Sequence, residues 1–70
     1  MNEKYVFIKS FTNDEGTIPE GSELYLFRGF VYFNGGLVSP AYQGFLMEFI
    51  NDEKLSKEYL RKVKVIHNKI

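Results

Sequence analysis

Residues 23–40 read ELYLFRGFVYFNGGLVSP, and two glycine-bearing turns divide them into apolar stretches too short to be helices. The stretch predicts a compact β-meander. A two-residue turn at Arg28-Gly29 sets Phe27 opposite Phe30, Leu26 opposite Val31, Tyr25 opposite Tyr32 and Leu24 opposite Phe33. Because side chains alternate along a strand, the hairpin then has two chemically different faces. Leu24, Leu26, Val31 and Phe33 make a mostly aliphatic one, and Tyr25, Phe27, Phe30 and Tyr32 an entirely aromatic one. Asn34-Gly35 is the strongest hairpin signal in the chain and predicts a short fourth strand at Leu37-Val38.

Downstream, Ser39 is placed to cap a helix and Pro40 to occupy its first turn, where a missing N–H costs nothing. Tyr42, Phe45, Leu46, Phe49 and Ile50 follow at helical spacing, so a helix is expected over about residues 40–51 with one apolar stripe. Gly44 within it implies either close approach of another backbone or simple tolerance. The helix should fade near Asn51-Asp52, with Glu53 to Tyr59 extending it or forming another short turn. The tail, YLRKVKVIHNKI, predicts a terminal strand with Val63 and Val65 inward and Lys62, Lys64 and Ile66 outward.

Upstream, Lys4 to Thr12 predicts a first strand, with Val6, Ile8 and Ser10 on one face and Tyr5, Phe7, Lys9 and Phe11 on the other. Asn13 to Gly21 carries turn chemistry and reads as a loop. Pairing the last strand with the first would bring the two ends of the chain together and close a small barrel. The expectation is one α+β domain over 1–70, mainly β: a small antiparallel barrel or curled sheet of four or five strands, with one helix before the last strand.

Seventy residues bury a modest fraction of their surface, so large side chains must fill the core, and the seven Phe and five Tyr can do so without disulfide or metal. There is no cysteine, which removes thiolate zinc sites and cysteine nucleophiles and fits a reducing compartment. Neither a leader nor a long apolar run is visible, and a cytoplasmic protein without membrane attachment is expected. The formal net charge of zero opposes strong attraction to nucleic acid or anionic lipid. The charge is nevertheless divided. Residues 1–53 hold three Lys/Arg against eight Asp/Glu, a balance of −5, and residues 54–70 hold six against one, a balance of +5.

Catalytic chemistry has little to work with. His67 is the only histidine and lies near a chain end, while Asp14, Glu15, Glu20 and Glu23 sit in or beside turns, where acids are ordinarily solvated. Asn13-Asp14-Glu15-Gly16 lacks the alternating oxygen ligands of a calcium loop, and Gly35-Gly36 is a hairpin pair with no phosphate-loop lysine after it. A non-enzymatic role without cofactor or metal is expected.

The ring-bearing face is the candidate site. Tyr25, Phe27, Phe30 and Tyr32, joined in one reading by Tyr5 and Phe7, form a platform, with Lys9, Arg28, Lys62 and Lys64 at its margins. The helix stripe must also be buried somewhere, and the aromatic face is its expected receiver. The exposed remainder, Tyr25 and Tyr32 especially, is the partner-binding surface, with Arg28 and the outward lysines as rim charges. A protein partner is favoured. The alternatives are a single-stranded nucleic acid held by the same rings with Arg61, Lys62 and Lys64 on phosphates, and self-assembly, with a homodimer possible. Lys62 and Lys64 also have a plainer reading as guards against edge-to-edge aggregation.

The turn entry GTIPEGSE, the FRG and NGG punctuation of the meander, the short helix and the basic closing EYLRKVKVIHNK resemble small uncharacterised proteins encoded by bacteriophages and prophages of low-GC Gram-positive bacteria. The resemblance spans most of the chain and implies an accessory product acting in a bacterial host cell by binding a host or phage macromolecule. It brings no functional residue with it. The arrangement also looks like an SH3-like barrel, a class that hosts binders of peptides, proteins and nucleic acids alike.

Overall fold

A computed structural model describes residues 3–64. Seven strands and two helices follow in the order β1 (Glu3–Phe7), β2 (Phe11–Asn13), β3 (Gly16–Ile18), β4 (Glu23–Phe27), β5 (Phe30–Phe33), β6 (Gly36–Leu37), α1 (Pro40–Asn51), α2 (Glu53–Tyr59) and β7 (Leu60–Val63). Five strands make one antiparallel sheet in the order β6-β5-β4-β1-β7, and β2 and β3 form a separate hairpin.

The central hairpin has the register its sequence predicts, from Leu24 opposite Phe33 to Phe27 opposite Phe30. Arg28 and Gly29 both take positive φ, 54° and 83°, as a two-residue turn matched to strand twist requires. Asn34 (φ 49°) and Gly35 (φ 89°) repeat the device. The Asn34 side-chain oxygen also accepts from the Glu23 backbone N–H at 2.8 Å, tying the second turn to β4. The fourth meander strand is two residues long and shifted to Gly36–Leu37.

The first strand is shorter than its composition implies. β1 stops at Phe7 because the chain leaves the sheet over Ile8 to Ser10; Phe11 and Thr12, expected to end the first strand, begin β2 instead, and β3 pairs with it where a loop was expected. In their turn, the Asn13 side-chain oxygen accepts from the Glu15 and Gly16 N–H groups at 2.9 and 3.2 Å. The detour lets Phe11 reach the helices, where it meets Phe45, Phe49 and Tyr59 with ring centroids 4.9–6.0 Å away.

Helix α1 spans 40–51, with the Ser39 hydroxyl accepting from the Tyr42 N–H at 3.3 Å. It ends where expected, at Asn51, and of the two expectations for Glu53 to Tyr59 the separate short helix is the one that holds. Asp52 turns extended (φ −81°, ψ 120°), and its carboxylate accepts from the Leu55 N–H at 3.0 Å, so one residue ends α1 and caps α2. Two helices, not one, therefore precede the last strand. Gly44, at a cost of about 1 kcal/mol relative to alanine in a helix, has no neighbour within 4 Å of where a Cβ would sit.

Both helices and the β2–β3 hairpin lie on one side of the sheet. Tyr5, Phe7, Ile18, Leu24, Val31, Leu46, Phe49 and Leu60 are buried together there. Leu24 and Val31 belong to the aliphatic face of the hairpin, so α1 covers that face and not the aromatic one. The cause is the β1–β4 register: Tyr5 lies opposite Leu24, which brings the β1 rings to the aliphatic side and gives the helix stripe a deeper receiver. Covering Tyr25 and Tyr32 would also have required buried partners for two hydroxyl groups.

The sheet does not close into a barrel. β7 does pair with β1, as the alternating tail predicts, but it thereby becomes one edge while β6 forms the opposite edge, with three strands between them. The parity of the tail is also reversed. Leu60 and Lys62 stand opposite Phe7 and Tyr5, so they share the helix-covered side, while Arg61 and Val63 stand opposite Val6 and Lys4 on the other. The expected positions of Val65, Ile66 and His67 lie outside the described residues.

Candidate functional site: the open aromatic face

The side of the sheet away from the helices carries no other element among the described residues. Cross-strand partners place Val63, Lys4, Tyr25, Tyr32 and Leu37 in one row across all five strands, about 19 Å long at the usual strand spacing. Phe27 and Phe30 form a second row beside it, and Val6 with Arg61 a third. Tyr25 and Phe27, two residues apart on β4, stack with centroids 6.1 Å apart and planes at 11°. The Arg28 guanidinium lies over the Phe27 ring at 5.3 Å. Beside the rings is a depression of about 390 Å³, lined by Lys4, Glu23, Tyr25, Phe27, Tyr32 and Gly35. The Lys4 and Glu23 side chains are 3.4 Å apart, so their charges cancel within its wall.

Of the residues singled out in the sequence, Tyr25, Phe27 and Tyr32 are brought together and half-buried. Phe30 belongs to the same side but sits at its corner, 54 % exposed and turned toward α1. Arg28 is at the rim and Arg61 at the opposite end, both exposed. Lys64 is exposed just past the end of β7.

Four expected members are elsewhere. Tyr5 and Phe7 are buried beneath the helices because β1 presents its even-numbered residues to the open side. Lys62, on the covered side by the same parity, lies 3.5 Å from Glu3. Lys9 follows the chain out of the sheet, where it contacts Glu58 at 2.9 Å and lies 4.9 Å above the Tyr59 ring. In exchange, Lys4, Val63, Glu23 and Leu37 enter the site. Their places depend on inter-strand registers that no local pattern announces.

Tyr5 has a structural task. Burial, reinforced by the 2.6 Å hydrogen bond it donates to Glu3, pushes its hydroxyl up to about 12. The same bond, with Lys62 nearby and against the opposing effect of burial, holds the Glu3 carboxyl below its ordinary value. Among the described residues, no group of three or more His, Asp or Glu side chains is gathered in a way that could hold a metal ion. None of the described helices is long and apolar enough to cross a membrane.

The left-handed backbone at Arg28 gives a first expected result. A branched or long side chain there costs about 1 kcal/mol, which asparagine largely avoids, while the exposed cation–ring contact returns about 0.5 kcal/mol. Arg28→Asn should therefore raise the thermal midpoint by a few degrees while removing a rim cation from the open face. A fall in the midpoint on thermal denaturation would mean the guanidinium is a structural support.

Comparison of the chain with models of known protein families, with curated proteins and with solved structures finds no match.

Proposed function

We propose that this protein is a non-enzymatic binding module whose open aromatic face engages a protein partner. The observation that supports this most is the row of Tyr25 and Tyr32 with Phe27 alongside, left without cover on a sheet whose other side is packed under two helices. Aromatic side chains with arginine at the margin are the usual anchors of protein contacts, because they remove large areas from water at little rotamer cost. The face combines such anchors with an internally neutralised Lys4–Glu23 pair and with Arg28 and Arg61 at its ends. Zero net charge suits a protein partner better than a polyanion.

The resemblance to phage and prophage products supplies the proposed context, an accessory protein acting on a host or phage protein in the bacterial cytoplasm. The SH3-like likeness supports a binding role in the same general way, through a small sheet that presents rings.

Retention of a bacterial-lysate protein on immobilised wild type, compared with a Tyr25→Ala, Tyr32→Ala variant, tests the proposal. A partner should be held by wild type, lost by the variant and little changed between about 50 and 200 mM salt. Parallel titration of labelled single-stranded oligonucleotides examines the competing reading, in which stacked rings hold bases. Binding that falls by orders of magnitude over that salt range would show phosphate recognition and replace the protein partner.

A further inference from the structure

A second cavity, independent of the open face, lies on the covered side between the β2–β3 hairpin and α1. Its volume is about 120 Å³, and Phe11, Tyr42 and Phe45 line it together with the buried Ile18. The three rings are set at different angles: Tyr42 and Phe45 have centroids 5.5 Å apart and planes at 26°, Phe11 and Phe45 6.0 Å and 53°. They make a concave aromatic wall. Tyr42 and Phe45 stand on one face of α1, and Phe11 reaches them only because the chain leaves the sheet after Phe7. The polar part of the wall comes from the hairpin, where Glu15 is the one charged residue.

Three features indicate the chemistry of its ligand. The first is the sign of the local field: residues 11–20 and α1, which build the cavity, hold Asp14, Glu15, Glu20 and Glu48 but no lysine or arginine. Glu15 makes no ion pair with any described residue. A cation is drawn there and an anion repelled. The second is the rings, whose faces carry the negative lobes of the aromatic quadrupole and attract cations. The third is that the acceptors of the hairpin are already committed. The Asn13 side-chain oxygen takes the Glu15 and Gly16 N–H groups, and the Thr17 hydroxyl is hydrogen-bonded to that of Thr12 at 3.0 Å. A primary ammonium or a guanidinium would therefore exchange water for few new acceptors, and each N–H left unpaired is costly. A quaternary ammonium has no N–H to satisfy.

We propose that this cavity binds a quaternary ammonium head, with its methyl groups against Phe11, Tyr42 and Phe45 and the Glu15 carboxylate balancing its charge. A water molecule's share of the liquid is about 30 Å³, so the cavity has the room of about four waters, which suits a trimethylammonium group. The head belongs either to a small solute such as choline or to a trimethylated lysine side chain. The recognising chemistry is the same for both: a diffuse cation without hydrogen-bond donors, set against ring faces beside a carboxylate.

NMR titration of the full chain with tetramethylammonium chloride, against sodium chloride at equal ionic strength, tests this. Ring currents should move the methyl proton signal of the ligand upfield, and the protein shifts should centre on Phe11, Glu15, Tyr42 and Phe45, with a dissociation constant on the order of 1–10 mM. Glu15 is exposed, and the bond from its backbone N–H to Asn13 survives substitution, so Glu15→Gln should weaken binding at least about threefold and leave the fold intact. Tyr42→Leu, which keeps apolar bulk but removes a ring, should weaken it at least about fivefold. The Tyr25→Ala, Tyr32→Ala variant should bind as wild type does, which keeps this site apart from the open face. Choline and trimethyl-lysine titrated alongside identify the source of the head, the tighter of the two naming it. No upfield shift at about 50 mM ligand, ammonium or guanidinium bound as tightly as tetramethylammonium, indifference to both Glu15→Gln and Tyr42→Leu, or loss of binding in the open-face variant would each overturn the proposal.

Discussion

Phe49→Ala should remove a third or more of the protein's stability. Phe49 is 2 % exposed, and its ring meets Phe7 at 5.3 Å, Phe11 at 4.9 Å, Phe45 at 5.4 Å and Tyr59 at 5.7 Å. It thus joins β1, β2, α1 and α2 at one point. Truncating a buried phenylalanine costs about 3–5 kcal/mol, through lost transfer free energy and the cavity left behind. A domain of this size holds on the order of 4–10 kcal/mol in all. Urea denaturation followed by circular dichroism should show the midpoint shifted far down or no folded baseline. Phe30→Ala in dilute solution should change stability by less than about 0.5 kcal/mol, because that ring is at the surface of the monomer. Equal sensitivity at both positions would mean that the core is not organised around the helix-covered side.

The second large effect is on binding. Tyr25 and Tyr32 face each other on β4 and β5 at the centre of the open row, where anchors are typically worth 2 kcal/mol or more apiece. The Tyr25→Ala, Tyr32→Ala variant should bind the captured protein at least about a hundredfold more weakly, since roughly 1.4 kcal/mol is tenfold. Both rings are only half-buried, so the same variant should remain folded by circular dichroism. Removing a rim cation by Arg61→Ala should cost far less, and mainly in association rate. A partner held equally well by the double variant would remove the open face from consideration.

The local half of the structure was legible in the sequence, and the long-range half was not. Arg28-Gly29 and Asn34-Gly35 announce two-residue turns whose geometry fixes the meander register, and Ser39-Pro40 announces the start of α1. Asp52 as a shared cap was less visible, because an apolar stripe that lapses does not say whether the backbone continues or restarts. The division of the hairpin into aliphatic and aromatic layers also follows from local parity. Which layer receives the helix does not, since that depends on the β1–β4 pairing of Tyr5 with Leu24 across an intervening hairpin. The tail shows the same limit: alternation at 61–64 is plain, but the side on which Arg61 and Lys62 fall is decided by the partner strand. Gln43 had no sequence signal as an edge partner, because its role depends on where α1 lies against β5.

The central claim is that one side of a five-stranded sheet is packed and the other presents rings to solvent. The most direct measurement is relaxation of assigned aromatic ring protons by a soluble paramagnetic chelate. Strong relaxation is expected at Tyr25, Phe27 and Tyr32, with Phe7 and Phe49 nearly unaffected. Protection of Tyr25 and Tyr32 as complete as that of Phe49 would contradict it, showing the rings to be covered and the face unable to receive a partner.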